Sequence, residues 1–139
     1  MLFGEYYHNI DPKGRMIFPA KLRSEIGERF YLTRWLDNCI VAFSESEFMN
    51  VCGRIKQQAI SKTSDVQRVL FSSACEVEAD KQGRILIPAS LRARAGLERD
   101  VVVIGVMNRA EIWDKERWEE KSRAIDGDMF DRGMLDLDI

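Results

Sequence analysis

The sequence predicts a β-rich α+β fold made of two copies of one unit, related by a pseudo-two-fold axis. The main observation is an internal repeat: residues 11–27, DPKGRMIFPAKLRSEIG, recur at residues 80–96 as DKQGRILIPASLRARAG. Eight of the 17 aligned positions are identical, where chance gives about one. The second observation is that each copy predicts short strands, whose edges need a partner. We therefore expect two interleaved copies that close into a barrel.

Each copy begins with two strands on either side of a tight turn. In the first copy, Asp11, Pro12 and Gly14 occupy positions typical of a type I turn, and segments 5–10 and 15–18 predict the flanking strands. In the second copy, ACEVEA and RILI flank the turn DKQG. We therefore expect each turn to be the tip of a β-hairpin.

A short helix and a second pair of strands follow in each copy. Pro19 and Pro88 end the preceding strands because proline has no N–H for the ladder. Gly27 and Gly96 are suitable C-caps for the helices AKLRSEI and ASLRARA. The runs RFYLTRW and CIVAF, and later DVVVIGV and AEIW, predict the remaining strands.

Helices follow the last strand of each copy, with Ser44 and Asp114 as N-cap candidates. After Ser44 the sequence predicts a helix to about Ala59, a polar link SKTS, and a second helix from about Asp65. These elements divide the chain into four segments. They are a first repeat (1–53), a linking helical segment (54–76), a second repeat (77–123) and an acidic C-terminal tail (124–139).

Charge is distributed unevenly along the chain. The net charge is −2, but residues 126–139 hold five Asp and one Arg, so the tail sums to −4 and the other 125 residues sum to +2. Residues 11–34 hold six Lys or Arg against three acids. Positive charge therefore collects around the first repeated motif, where it can attract nucleic acid. The Asp-rich tail is expected to be partly disordered.

Several classes of protein are disfavoured. No apolar run of 18 residues or secretory signal is present, so we expect a cytoplasmic protein without a membrane span. Three widely spaced cysteines argue against a disulfide framework and a zinc site. The single histidine, His8, has no nucleophile context, and no nucleotide-binding or metalloprotease motif occurs. We expect no enzyme activity, no metal site and no cofactor; His8 is a structural histidine or a minor phosphate contact.

The repeated turn, Asp-x-x-Gly-Arg, has a composition suited to binding DNA. Arginine can bind guanine O6 and N7 bidentately, lysine or a backbone N–H can hold phosphate, and a two-stranded ribbon fits a major groove about 12 Å wide. A purely structural interpretation is also open. In it, Asp11 bonds the N–H groups of its own turn, and Arg15 pairs with Asp11 to stabilise that turn.

The turn, apolar strand, Pro, short helix and Leu-Arg together resemble the swapped-hairpin DNA-binding fold of the AbrB/SpoVT type. The segments GEYYHNIDPKGRMIFPAKLR, LTRWLDNCIVAFSESEF, DKQGRILIPASLR and EIWDKERWEE together resemble the bacterial MraZ family, from Met1 to about Arg123. The resemblance implies a pseudo-two-fold swapped-hairpin β-barrel built from two AbrB-like repeats, with flanking helices. It also implies a nucleoid-associated transcriptional regulator of the division and cell-wall gene cluster, which forms rings and binds repeated promoter boxes.

By that resemblance, the residues that contact DNA lie in the two turns: Arg15, Arg84, Lys13, Lys81, Gly14 and Gly83. Asp11 and Asp80 shape the turns. Lys13 of the first copy corresponds to Gln82 of the second, so the two turns need not contact the same bases. The implied partners are double-stranded DNA and further copies of the chain, with no membrane and no small-molecule substrate. An antitoxin-like or scaffold module that binds protein without specific promoter binding is the alternative.

Overall fold

The computed structural model describes residues 1–139 and contains eight strands and six helices. The strands are β1 (Leu2–Asn9), β2 (Arg15–Ile17), β3 (Arg29–Arg34), β4 (Ile40–Phe43), β5 (Cys75–Glu78), β6 (Arg84–Leu86), β7 (Asp100–Met107) and β8 (Ala110–Asp114). The helices are α1 (Ala20–Ile26), α2 (Glu45–Lys56), α3 (Ile60–Ser72), α4 (Ala89–Ala95), α5 (Lys115–Ile125) and α6 (Asp128–Leu137). The predicted order of strands and helices therefore occurs twice along the chain.

Six strands form one antiparallel sheet in the order β1-β7-β8-β4-β3-β5. The hairpins β3–β4 and β7–β8 meet at the centre of the sheet, where β4 pairs with β8. Each hairpin receives the first strand of the other half on its outer side, because β1 pairs with β7 and β5 pairs with β3. This exchange confirms the α+β fold of two interleaved, pseudo-symmetric halves.

The sheet remains open, with β1 and β5 as its edges, whereas the sequence predicted strands closed into a barrel. A separate two-stranded ribbon, β2–β6, provides the other side of the core. Its side chains, together with those of α1 and α4, share one buried cluster with the sheet; the cluster includes Met16, Phe18, Leu22, Leu32, Ile40, Ile85, Ile87, Leu91, Val103 and Ile112. Side-chain packing therefore closes the core where the backbone ladder does not.

The ribbon lies on the pseudo-two-fold axis. Met16 pairs with Ile85, which is the equivalent residue of the other copy, and both side chains point into the core with 1% exposure. Two further hydrogen bonds extend the ribbon symmetrically. The Phe18 N–H donates to the Gly83 carbonyl and the Ile87 N–H donates to the Gly14 carbonyl, each at 2.9 Å.

The prediction that each turn is the tip of a β-hairpin was wrong. The Asp11 N–H donates to the Arg15 carbonyl at 2.9 Å, but β1 and β2 then separate into the sheet and the ribbon. The physical reason is the exchange of strands. β1 forms eight residue pairs with β7, whereas β2 is only three residues long and must turn Met16 into the core. Each turn therefore links the sheet to the ribbon.

The helices between the halves also differ from the prediction. The N-caps are confirmed, because the side chains of Ser44 and Asp114 accept from backbone N–H groups one turn later. However, α3 begins at Ile60, so SKTS lies inside it. The hydroxyls of Thr63 and Ser64 donate to carbonyls four residues earlier, which lets these polar residues continue a helix.

The acidic tail forms helix α6, although the sequence led us to expect partial disorder. Its side chains are all exposed, including Met129, Phe130, Leu135 and Leu137. None of the six helices combines the length and apolar character needed to cross a membrane. The three cysteines are free thiols.

Candidate nucleic-acid interface

The two turns have the same hydrogen-bond pattern. Asp11 Oδ1 accepts from the backbone N–H groups of Lys13 and Arg15, both at 2.9 Å. Asp80 Oδ1 accepts from Gln82 and Arg84 at the same distances. Each carboxylate therefore accepts hydrogen bonds from two backbone amides of its own turn.

These backbone donors also set the charge of the aspartates. The Arg15 N–H lowers the pKa of Asp11 below its usual value, helped by the Arg15 side chain and the Lys13 N–H. The Arg84 N–H lowers the pKa of Asp80 in the same way, helped by the Arg84 side chain and the Gln82 N–H. Both carboxylates are therefore ionised at neutral pH and can pair with a guanidinium.

Arg15 and Arg84 are each anchored by the aspartate of their own turn. Arg15 Nε donates to Asp11 Oδ2 at 2.8 Å, and Arg84 Nε donates to Asp80 Oδ2 at 2.9 Å. The two arginine side chains are 35% and 33% exposed, and their Nη atoms form no hydrogen bond within the protein. Each arginine can therefore pair with its aspartate and still bind a ligand, because a guanidinium has five N–H donors and Nε carries only one of them.

The outer side of the ribbon is formed by Arg15 and Ile17 from β2 and by Arg84 and Leu86 from β6; we call these four residues the ribbon face. Arg15 pairs with Leu86 and Ile17 pairs with Arg84, so the two arginines are diagonal neighbours, roughly 7–8 Å apart in a regular antiparallel pair. Ile17 is 46% exposed and Leu86 is 57% exposed. The structure thus places the two predicted DNA-contacting arginines together, with exposed aliphatic side chains between them.

The remaining predicted residues surround the ribbon face at the turns. Lys13, Lys81 and Gln82 are exposed, and neither lysine forms an ion pair within the protein. Gly14 has φ of 87° and Gly83 has φ of 80°, a backbone conformation that residues other than glycine rarely adopt. Each turn therefore presents exposed polar side chains beside the arginine that its aspartate holds.

Two arginines that the sequence analysis missed lie behind the turns. Arg23 on α1 donates from Nη1 to the carbonyls of Phe18 and Gly83, at 3.0 and 3.2 Å. Arg92 on α4 donates from Nε to the Ile87 carbonyl at 3.0 Å. The signal was present, because the arginine of Leu-Arg is one of the eight identities of the repeat, but nothing in the spacing indicated that each would reach across to the other half.

His8 lies outside this surface. It is half-buried on β1, where it pairs with Val101 of β7, and burial lowers its pKa. No group of three His, Cys, Asp or Glu side chains has an arrangement that could hold a metal ion. The residues with a distinctive, twice-repeated geometry are those of the turns and the ribbon.

Comparisons with known proteins identify the family. The model of the MraZ protein family, whose description includes the term antitoxin-like, matches residues 1–68 and 70–131. A protein of Finegoldia magna is 44% identical over 143 residues, and one of Clostridium beijerinckii is 45% identical over 142; each match covers 100% of both chains. A protein of Acetivibrio thermocellus is 50% identical over 125 residues, covering 88% of this chain and 87% of the relative. All three relatives are named transcriptional regulator MraZ. The chain therefore belongs to the MraZ family, whose members are transcriptional regulators and not enzymes.

Proposed function

We propose that this protein regulates transcription by binding double-stranded promoter DNA through the ribbon face and the two turns beside it. One observation carries the proposal. Arg15 and Arg84 lie on the same exposed face, each held through Nε by an aspartate that leaves the Nη atoms without a protein partner. This arrangement fixes the direction of each guanidinium before a ligand arrives, so less rotamer entropy is lost on binding.

The side chains of the ribbon face have chemistry that suits a major groove. A two-stranded ribbon fits the groove, and the free Nη edges of Arg15 and Arg84 can contact guanine O6 and N7 or a phosphate. Lys13 and Lys81 at the turns suit phosphate contacts, which fix register without selecting sequence. Ile17 and Leu86 offer apolar surface for thymine methyl groups.

Self-association into a ring that binds repeated promoter boxes is part of this proposal. A ribbon face of four residues is small compared with the roughly 1,000 Å² of protein surface that specific DNA complexes bury. Several copies acting together would add their weak contacts through avidity. The exposed apolar side chains Met1 and Phe3 beside the open edge of β1, and those of α6, are candidates for the surfaces between copies.

The promoter is expected to be that of the division and cell-wall gene cluster, with the protein located on the nucleoid. This step rests on the likeness to the MraZ family. Gln82 in place of Lys13 gives the two turns different side chains at the same position, which suits boxes that are not palindromic.

Gel-shift titrations of that promoter with Arg15→Ala and Arg84→Ala test the proposal. Each substitution should weaken binding about tenfold or more, because a bidentate arginine contact is worth about 1–3 kcal/mol. Each should also lower the dependence of affinity on salt. Arg68→Ala on α3 is the matched control, since Arg68 is exposed and pairs only with Asp65. If both turn variants bind like the Arg68 variant, the ribbon face does not contact DNA.

The number of boxes provides a second readout in the same titration. Avidity predicts that a duplex with one box binds much more weakly than one with several, and that binding is steep in protein concentration. Sedimentation measured at the same concentrations reports whether the bound species is an assembly. Full-strength binding of a monomer to a single box contradicts the ring.

Helix α6 favours a second candidate, an antitoxin-like or scaffold module that binds another protein without specific promoter binding. Its exposed Phe130, Met134 and Leu137 are spaced i, i+4 and i+7, so they share one apolar face of the helix that suits a protein partner. The titration above distinguishes the two candidates. Equal affinity for the promoter and for a scrambled duplex of the same length favours the second.

A further inference from the structure

We propose that Arg23 and Arg92 are positioning residues, each holding the DNA-contacting turn of the opposite half of the molecule. The inference deepens the proposed function and rests on it, since it concerns how the same turns are presented to DNA. Its consequence is that neither half presents its turn arginine alone. Arg84 depends on a helix of the first half, and Arg15 depends on a helix of the second.

Arg23 joins the two halves through one nitrogen. Its Nη1 donates at 3.0 Å to the Phe18 carbonyl of its own half and at 3.2 Å to the Gly83 carbonyl of the opposite turn. The side chain is 21% exposed, and its one acidic neighbour, Glu28, is 3.9 Å away. Arg23 therefore acts as a brace between the two halves, because its Nη1 donates to one backbone carbonyl of each half.

Arg92 occupies the equivalent place behind the first turn. Its Nε donates to the Ile87 carbonyl of its own half at 3.0 Å. A Cβ atom on Gly14 would lie 2.9 Å from Nε, Cζ and Nη2 of Arg92, so the guanidinium packs directly against the opposite turn. Arg92 makes no hydrogen bond to the Gly14 carbonyl, so the brace on the first turn is a packing contact only.

The Gly83 carbonyl, which accepts from Arg23, belongs to the peptide group that leads into Arg84. The Gly83 carbonyl and the Arg84 N–H are parts of one planar peptide group. The carbonyl accepts from the Phe18 N–H and from Arg23, while the N–H donates to Asp80 Oδ1. A shift of Arg23 therefore changes the tilt of this peptide and, with it, the direction of the Arg84 side chain.

The peptide between Gly14 and Arg15 is held in the same way, with one bond fewer. Its carbonyl accepts from the Ile87 N–H and its N–H donates to Asp11 Oδ1. Because Arg92 contributes packing and no hydrogen bond at this place, loss of Arg92 should disturb its turn less than loss of Arg23 disturbs the other. The proposal therefore also predicts which of the two substitutions has the larger effect.

A double-mutant cycle on promoter binding tests whether the coupling crosses between the halves. Arg23→Ala should weaken binding about tenfold in the wild type and in the Arg15→Ala background, the loss expected for one hydrogen bond from a charged donor. In the Arg84→Ala background it should add less than about twofold, since the turn that it holds no longer contributes. Arg92→Ala should show the mirror pattern, with Arg15 in place of Arg84 and a smaller effect.

The alternatives predict other patterns. A direct contact between Arg23 and DNA gives the same loss in both backgrounds, and a role confined to its own half couples Arg23 to Arg15. Either result overturns the proposal. Arg23→Lys and Arg92→Lys serve as second variants, because they keep the charge and one donor if the alanine variants do not fold; the same cross-half pattern is expected with a smaller loss.

Amide hydrogen exchange provides a readout that does not require DNA. Arg23→Ala should speed exchange at the Arg84 and Phe18 amides and leave the Arg15 amide unchanged. Arg92→Ala should speed exchange at Arg15 and Ile87 and spare Arg84. If Arg15→Ala and Arg84→Ala leave DNA binding intact, the proposed function fails, yet exchange still decides whether the braces exist. Unchanged exchange at the opposite turn in both variants overturns the positioning role.

Discussion

The two halves of the molecule share the geometry of their turns but not the side chains that the turns carry. Asp11 and Asp80 bind the equivalent backbone amides at equal distances, and Arg15 and Arg84 are anchored through the same nitrogen. Both positions between the aspartate and the glycine differ, because Pro12 and Lys13 of the first half correspond to Lys81 and Gln82 of the second. Aspartate, glycine and arginine therefore build the turn, whereas its second and third positions are free to vary.

The halves also differ in how strongly their first strands are held. β1 forms eight residue pairs with β7, whereas β5 forms four with β3. In the shorter ladder, Arg29 lies between Glu76 and Glu78, with nitrogen–oxygen distances of 3.0 and 3.7 Å. Exposed pairs of this kind contribute little, so the length of the ladder is the larger difference. The second turn has weaker support from its strand and gains a hydrogen bond from Arg23.

Replacing the glycine of each turn should have the largest effect on stability, and the loss should differ between the two halves. Gly83→Ala should lower the free energy of unfolding by about 2–3 kcal/mol, and Gly14→Ala by about 1–2 kcal/mol, because alanine is strained at positive φ. The loss at Gly83 is larger because its Cβ would overlap Arg23 Nη1 and displace the bond to the Gly83 carbonyl. Urea unfolding measures both values.

The control for these substitutions is Gly53→Ala within α2, where a new Cβ meets no atom within 4 Å. It should raise stability slightly, since alanine is the better helix former by about 1 kcal/mol at most. An equal loss at Gly14 and Gly83 contradicts the unequal bracing of the two turns.

Acid should loosen both turns, with a smaller effect. The pKa values of Asp11 and Asp80 lie below the usual value of about 3.9, because backbone N–H groups favour the charged form. Their contribution to stability is therefore complete above about pH 3.9 and disappears as the pH falls through the folded-state pKa. An NMR titration of the Lys13 and Gln82 amides measures these values directly.

Asp11→Asn distinguishes the turns in that titration. It should remove the acid transition at Lys13 and leave the transition at Gln82 in place. A midpoint at or above about 3.9 for either aspartate in the wild type contradicts the hydrogen bonds that define the turn.

The sequence predicted where strands and helices lie better than it predicted which strands pair. Turn residues, prolines and helix caps act locally, so the positions of Pro19, Gly96, Ser44 and Asp114 were sufficient to place the ends of helices. Strand pairing depends on contacts far apart in the chain. The segment around Asp11 has every signal of a hairpin, yet the exchange with β7 satisfies more hydrogen bonds than local pairing would.

The candidate site divides in the same way. Arg15, Arg84 and the two aspartates were predicted because they recur at fixed spacing within one short segment. Arg23 and Arg92 also recur, but their partners are the opposite glycines, 60 residues away for Arg23. No local pattern predicts a contact of that kind. The start of α3 was missed because serine and threonine usually favour turns, and here their hydroxyls bond inside the helix.

Exchanging the side chains at the third position of the two turns should have the smallest effect on stability. It tests whether the two turns contact DNA in the same way. Gln82→Lys adds a cation to the second turn, and Lys13→Gln removes one from the first, while neither side chain takes part in the hydrogen bonds that shape the turns. Both variants should keep the unfolding free energy of the wild type. If Lys13 contacts a phosphate, each should shift the slope of log affinity against log salt by about 0.9 per contact in each copy, in opposite directions.

The double variant carrying both changes is the matched control, because it restores the net charge and only moves the lysine from one turn to the other. If the two turns contact equivalent places on the boxes, the double variant should recover the salt slope and the affinity of the wild type. If they contact different bases, it should recover the slope and still lose affinity. That second result would mean that the duplication has kept one turn geometry and used its third position to distinguish two DNA contacts.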